Sequence, residues 1–240
     1  MSAPKFVVGA TGFVGRQVVA QLAARGHQVI AHVRPDSAQL ASWRQRFSEL
    51  GAQTDTTPWQ LAAMTARLTE LRPDRVFLCL GTTAGRARAD HLQGNPYELV
   101  DHGLTKLMVD AAAAASQGAP GSAPRLVYLS SIGADPKARS SYLSWRGKAE
   151  QVVQGSGLPW VMARPSFITE SSVAARDDRR LGERVAAAVG DVGLGLLGLL
   201  GAKKLRAQYR STTPEILAAA LIRLSEESPV GRIASGDDLR

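Results

Sequence analysis

KFVVGATGFVGR, residues 5–16, decides the fold. A short apolar run (Phe6, Val7, Val8) gives way to glycines spaced G-x-x-G-x-x-G at Gly9, Gly12 and Gly15. A helical apolar pattern follows at once, with Phe13, Val14, Val18, Val19 and Leu22. Strand, tight glycine turn and helix together are the context that gives a dinucleotide fingerprint its meaning. Each glycine has a separate mechanical reason: Gly9 for the sharp turn, Gly12 so that backbone N–H groups can approach a pyrophosphate, Gly15 so that the helix can close onto its strand. The phosphates would face a helix N-terminus, where unpaired N–H groups and the positive dipole end favour anions.

Outward from that stretch, strands and helices alternate. Gln28 to Val33 reads as a second strand, 39–50 as a weakly amphipathic helix, Ala52 to Asp55 as a poor third strand and Leu61 to Leu71 as a helix. Arg75 to Leu80 (RVFLCL) is a continuous apolar run, as expected of a strand buried on both faces of a parallel sheet. Asn95-Pro96-Tyr97-Glu98 carries the cap, first-turn proline and acidic residue of a helix start, and that helix runs to about Ser116. Arg125 to Leu129 and Trp160 to Ala163 read as strands, separated by a helix from Ser141 to Gln154. Thr213-Pro214-Glu215 opens a last helix, and Gly231 to Ala234 adds a final strand. The expected architecture is α/β: a Rossmann-type, doubly wound parallel sheet formed by residues 1–165 and 213–240. Residues 166–212 lose the alternation and are expected to form a flap or small C-terminal substrate lobe.

Composition narrows the function classes. The formal net charge is +8, but the basic residues are scattered, arginine far outnumbers lysine, and no basic tract is interleaved with aromatics. No helix-turn-helix or zinc spacing accompanies them, so specific nucleic-acid binding is not expected. The four histidines, His27, His32, His91 and His102, have no metal-ligand spacing, and no metal site is expected. The most membrane-like segment, Val192 to Ala202, has eleven residues and four glycines. A spanning helix needs roughly 20 residues, so no transmembrane segment is expected. Met1 to Lys5 lacks a signal-peptide layout, and the single Cys79 excludes an internal disulfide; both suit the cytoplasm.

The cofactor is read at the end of the second strand. An acidic residue there would bind the ribose 2′-hydroxyl of NAD, whereas a cation accommodates the 2′-phosphate of NADP. Arg34 follows Val33 directly and offers a planar fork of donors, which favours NADP (NADPH). Arg16, in the first turn of the helix, is placed to assist the same phosphate or to be solvated. Leu80, Gly81, Thr82 and Thr83, at the end of strand four, would lie along the cofactor, because ligands collect outside the carboxyl ends of strands.

Strand five ends in Ser130-Ser131-Ile132-Gly133, and Tyr142 comes eleven residues after Ser131, near a helix start. Arg146, four positions on, lies only about 40° from Tyr142 around the helix. Carbonyl reduction needs a proton donor at the carbonyl oxygen as hydride arrives, and a phenol beside a cation can serve. A serine hydroxyl would hold the carbonyl oxygen. Ser131 is preferred over Ser130 because it immediately precedes the Ile-Gly turn.

These residues resemble an atypical short-chain dehydrogenase/reductase of the Tat-interacting-protein-like and NmrA-like NAD(P)H-binding branch. The resemblance is carried by GATGFVG (9–15), CLGTT (79–83), VD (100–101), LSSIGAD (129–135), YLSWRGKAE (142–150) and ARPS (163–166). It implies a Rossmann fold, NADP(H) and a Ser–Tyr–Lys site. It also makes Gly9, Thr11, Gly12, Phe13, Val14 and Gly15 the cofactor-facing turn and places Pro165 beside the nicotinamide. One position departs from the pattern: the family has Y-x-x-x-K, and here Arg146 stands where the lysine would be. Lys148 lies roughly 240° around the helix from Tyr142 and points elsewhere. Arg146 keeps the charge and is expected to hydrogen-bond the nicotinamide ribose, but arginine cannot give up its proton to a relay.

The leading expectation is therefore an NADP(H)-dependent oxidoreductase acting on a small carbonyl or alcohol. Tyr142 would be its acid/base, Arg146 the cation and Ser131 the orienter, with Ser130 as second hydroxyl. The alternative is a non-catalytic NADP(H) sensor or scaffold acting through a protein partner or as a homodimer. A nucleotide-sugar epimerase is disfavoured by the short region after strand six.

Overall fold

A computed structural model of the chain describes residues 2–82, 93–117, 123–166, 168, 212–227 and 230–240. Seven strands form one sheet: β1 (Lys5–Val8), β2 (Val29–His32), β3 (Gln53–Asp55), β4 (Arg75–Leu78), β5 (Arg125–Leu129), β6 (Trp160–Arg164) and β7 (Arg232–Ser235). Their order is β3-β2-β1-β4-β5-β6-β7 and every pairing is parallel. The chain winds outward from β1 to β3, then returns to place β4 on the other side of β1. That reversal opens a crevice at the carboxyl ends of β1 and β4, where ligands bind in open parallel sheets.

Among the described residues the α-helices are α1 (Phe13–Ala24), α2 (Leu40–Glu49), α3 (Leu61–Leu71), α4 (Thr105–Gln117), α5 (Ser141–Gln154) and α6 (Pro214–Glu226). Alternation along the strands serves two cores. Val7, Phe77 and Val127 meet Val18, Leu22, Leu217 and Leu221 on the α1–α6 face. Phe6, Leu78, Leu126 and Tyr128 meet Met64, Leu68, Met108 and Val153 on the α3–α4–α5 face. Both faces of the sheet are covered, as the apolar run at 75–80 requires. Thr213 caps α6, its side chain accepting from the Ile216 N–H, and Pro214 fills the first turn. At the start of the long helix the Asn95 side chain accepts from the Tyr97 N–H at 3.1 Å.

Two differences from the sequence reading matter for the site. The turns before α4, Tyr97–Leu104, are π-helical rather than α-helical, a rare geometry that concentrates at functional sites. The apolar run at 75–80 is regular strand only to Leu78; Cys79 and Leu80 are buried beyond it, the Cys79 N–H still donating to the Val8 carbonyl at 3.1 Å. Of the expected lobe at 166–212, all but Ser166, Ile168 and Thr212 lies outside the described residues, as does the glycine–leucine stretch at 192–202.

Candidate functional site

The glycine turn is held by its own backbone. Gly9 adopts φ +71°, and a Cβ there would lie 2.3 Å from the Cys79 carbonyl oxygen. A Cβ on Gly15 would lie 2.1 Å from the Gly9 oxygen, so α1 rests directly on the turn. Gly12 differs: a Cβ there would meet only the Gly9 oxygen, at 3.2 Å. The protein's own packing therefore demands Gly9 and Gly15 and constrains Gly12 less. No side chain caps α1 and its first turn carries no acidic residue. An uncapped helix start behind a glycine turn fits a diphosphate, whose oxygens would accept from those N–H groups. Around it, Phe13 is 39% exposed at the mouth while Val14 is buried against the core. Thr11 is half-buried.

At the neighbouring strand end, Arg34 is exposed and its Nε lies 3.7 Å from Asp36 Oδ1. The Arg16 guanidinium sits 4.9 Å above the Phe13 ring.

The ends of β4 and β5 are organised around Arg146, which is buried although it lies on the helix face shared with Tyr142. Its Nη1 donates to the Leu129 carbonyl at 2.8 Å and to the Tyr128 hydroxyl at 3.2 Å. Its Nη2 donates to the Leu80 carbonyl at 2.9 Å. Its Nε stands 3.0 Å from Asp101 Oδ1, an ion pair with the N–H misaligned for a hydrogen bond. Asp101, on the π-helical segment and fully buried, uses Oδ2 to accept the Thr82 N–H at 3.1 Å. Burial alone would lower the Arg146 pKa, but Tyr128, Tyr142 and Asp101 outweigh it and hold the guanidinium as a cation. Burial pushes the Asp101 carboxyl up, and the Arg146 charge opposes that. Burial carries the Tyr128 phenol to about 12 and the Cys79 thiol to about 12, which leaves both protonated at neutral pH.

This differs from the expectation that Arg146 would reach outward to a ribose. A long side chain in an apolar shell takes the nearest acceptors, and here those are two strand-end carbonyls and a carboxylate. Tyr142 is half-buried, its ring 5.6 Å from the guanidinium and 5.4 Å, edge-on, from the Tyr97 ring. Among the described residues its hydroxyl has no hydrogen-bond partner. Lys148 does point elsewhere, with Nζ 3.6 Å above the Trp145 ring. Trp145 in turn packs on His102 at 5.3 Å.

The two serines separate. Ser130 is buried and donates to Glu150, whose carboxylate also accepts from Arg164 Nε at 2.8 Å. Its hydroxyl is thus committed to a clasp between β5, β6 and α5. Ser131 is half-buried, and among the described residues its hydroxyl makes only a long 3.3 Å bond to the Ile132 carbonyl. Pro165 is buried beside it, its carbonyl accepting the Ile132 N–H at 2.9 Å. Gly81 is exposed, and a Cβ there would lie 2.5 Å from Arg146 Nη2. Thr83 lies outside the described residues.

Sequence reasoning gave no role to Asp101, Tyr128 or Glu150. The available signal was an acidic residue inside an otherwise apolar helical face, Val100 to Val109, which a buried partner would explain. Among the described residues no group of three or more His, Cys, Asp or Glu could hold a metal. Nor is any helix there long and apolar enough to cross a membrane.

Comparison with known proteins agrees with this geometry. An NAD(P)H-binding family model matches residues 9–192. Protein fmp52, mitochondrial, of Emericella nidulans is 30% identical over 191 residues, covering 78% of this chain and 76% of that protein. Protein TIC 62, chloroplastic, of Oryza sativa subsp. japonica is 27% identical over 194 residues, covering 73% of this chain. This chain spans only 37% of the rice protein's length. Among solved structures, an oxidoreductase of the short chain dehydrogenase/reductase family from Burkholderia thailandensis superposes with a TM-score of 0.64 at 18% identity, covering 97% of this chain and 90% of that one. The chain belongs to the NAD(P)H-binding family, on a short-chain dehydrogenase/reductase-like Rossmann fold.

Proposed function

We propose that this member of the NAD(P)H-binding family is an NADP(H)-dependent oxidoreductase acting on a small carbonyl or alcohol. The observation that carries the reading is Tyr142: a half-buried phenol, free of hydrogen bonds among the described residues, standing over a fixed cation at the carboxyl ends of β4 and β5. Bound NADP(H) would supply or accept the hydride. The N–H groups at the start of α1 would hold the diphosphate, and Arg34 would meet a 2′-phosphate at the end of β2. Tyr142 would give its proton to the carbonyl oxygen or take it from the alcohol, and Ser131 would orient that oxygen. Arg146 would act on Tyr142 by its charge alone, since its guanidinium is engaged with Leu80, Leu129, Tyr128 and Asp101.

The test is NADPH oxidation over a panel of aldehydes and ketones with wild type and Tyr142→Phe. Turnover that falls at least roughly 100-fold in the variant supports the role. No turnover, or an unchanged variant, refutes it. That same engagement of Arg146 favours a second reading, a nucleotide-binding sensor or scaffold: tight NADPH binding without turnover on any substrate would select it. The curated relatives are named for the mitochondrion and the chloroplast. Placement of this chain in the cytoplasm rests on its lone cysteine and remains part of the proposal.

A further inference from the structure

The Asp101–Arg146 pair has a consequence for which form of the cofactor the site prefers. In a doubly wound sheet each mononucleotide half of a dinucleotide lies over one half of the sheet. With Arg34 at the end of β2 marking the adenosine side, the nicotinamide would lie over β4 and β5, whose terminal carbonyls both accept from Arg146. An oxidised nicotinamide ring carries one more positive charge than a reduced one. An unpaired guanidinium under that half would repel the oxidised form. Asp101 stands 3.0 Å from Nε, is fully buried, and is held in place by the Thr82 N–H. Among the described residues the other titratable groups facing the guanidinium are the phenols Tyr128 and Tyr142 and the Cys79 thiol, all uncharged when protonated.

We propose that Asp101 is a positioning residue that acts through Arg146 to set the relative affinity for oxidised and reduced NADP(H), by cancelling the guanidinium charge beneath the nicotinamide half of the site. The inference rests on the NADP(H) reading above but not on any substrate being turned over. At an effective dielectric near 20, an uncompensated charge within about 12 Å of the ring would change affinity by about tenfold or more.

The experiment measures dissociation constants for NADP+ and NADPH by calorimetry on the full chain. In Asp101→Asn the ratio Kd(NADP+)/Kd(NADPH) rises roughly tenfold, because a net positive charge is exposed. In Arg146→Met the buried carboxyl, left without its cation, takes up a proton, so the ratio stays near the wild-type value there and in the double variant. A merely structural pair would weaken both forms equally and leave the ratio constant in Asp101→Asn as well, which overturns the proposal. If Asp101→Asn does not fold, Asp101→Ala, which also removes the counter-charge and keeps the guanidinium, carries the sign of the effect. Wild-type protein that binds neither form would instead refute the NADP(H) reading, so the two failures are separable.

Discussion

Replacing Arg146 by lysine, the conservative change and the residue found in the family pattern, should destabilise this protein. The guanidinium spans three acceptors at once: Leu80 O at 2.9 Å, Leu129 O at 2.8 Å and the Tyr128 hydroxyl at 3.2 Å, with Asp101 beside Nε. A single ammonium is a compact point charge and cannot reach the ends of two strands and a carboxylate together. At least two of these contacts would be lost, leaving strand-end carbonyls without a donor. Hydrogen bonds to charged groups contribute about 1.5–3 kcal/mol each, so after partial relaxation the net loss is about 3 kcal/mol. For a chain of this size that lowers Tm by roughly 6–12 °C. Guanidinium unfolding followed by circular dichroism, without added nucleotide, reads the change directly. A second arm uses Gly81, whose added Cβ would sit 2.5 Å from Nη2. Gly81→Ala should cost stability in the wild type and much less in Arg146→Lys, where that nitrogen is gone. An Arg146→Lys protein within about 0.5 kcal/mol of wild type would refute the reasoning. It would show that the guanidinium is free to face a ligand rather than tied to the strand ends.

Other outcomes follow from the same geometry. Gly15→Ala, with its Cβ 2.1 Å from the Gly9 oxygen, should lower the melting temperature and abolish nucleotide binding together. Gly12→Ala, whose Cβ meets that oxygen at a tight 3.2 Å, should lose much less stability than Gly15→Ala yet bind NADPH roughly tenfold or more weakly; calorimetry paired with a melting curve separates the two glycines. Arg34→Ala should weaken NADPH roughly tenfold and leave NADH unaffected. Its unfolding midpoint should move little, because ion pairs of an exposed arginine, such as that with Asp36 at 3.7 Å, contribute little. His32 is buried against Phe6 and Trp59, with Nε2 2.8 Å from the Thr57 carbonyl, and burial lowers its pKa below 6.5. The unfolded chain therefore takes up that proton first as pH falls. The stability His32 contributes is complete above about pH 6.5 and drains away below it. The denaturation midpoint should drop from about pH 7 to about pH 5, and His32→Gln should flatten that slope.

What could be read in the sequence was whatever depends on near neighbours. The bounds of α3, β5 and α5 follow from local apolar periodicity and flanking turn residues, and they coincide with the observed Leu61–Leu71, Arg125–Leu129 and Ser141–Gln154. The strand-turn-helix at 5–16 is likewise local, and with it came the sheet type. The 40° separation of Tyr142 and Arg146 is a helix property too, and the ring and guanidinium do meet, at 5.6 Å. The π-helical turns at 97–104 were not legible, because a helix widens there in response to what it packs against, not to its own composition.

The destination of the Arg146 side chain belongs to the same class of long-range fact, and it bears most on function. Spacing along a helix fixes where a side chain departs; its end is decided by whatever acceptors the fold brings within reach. Here they come from residues 80, 101, 128 and 129, on three other segments of the chain. A lysine motif read as a point charge translates to arginine without apparent loss, yet the planar fork can bond to several backbone groups at once. Once Asp101 supplies a buried counter-charge, the cheapest place for that fork is inside the protein, between the two strand ends. If Arg146 stands where the family pattern has its lysine, the substitution would turn a residue presented to a ligand into one tied to the strand ends. On the proposed reading Tyr142 and Ser131 would then be the groups left to a ligand, and a trade of one cation for another on paper would become a change in which atoms can touch a cofactor.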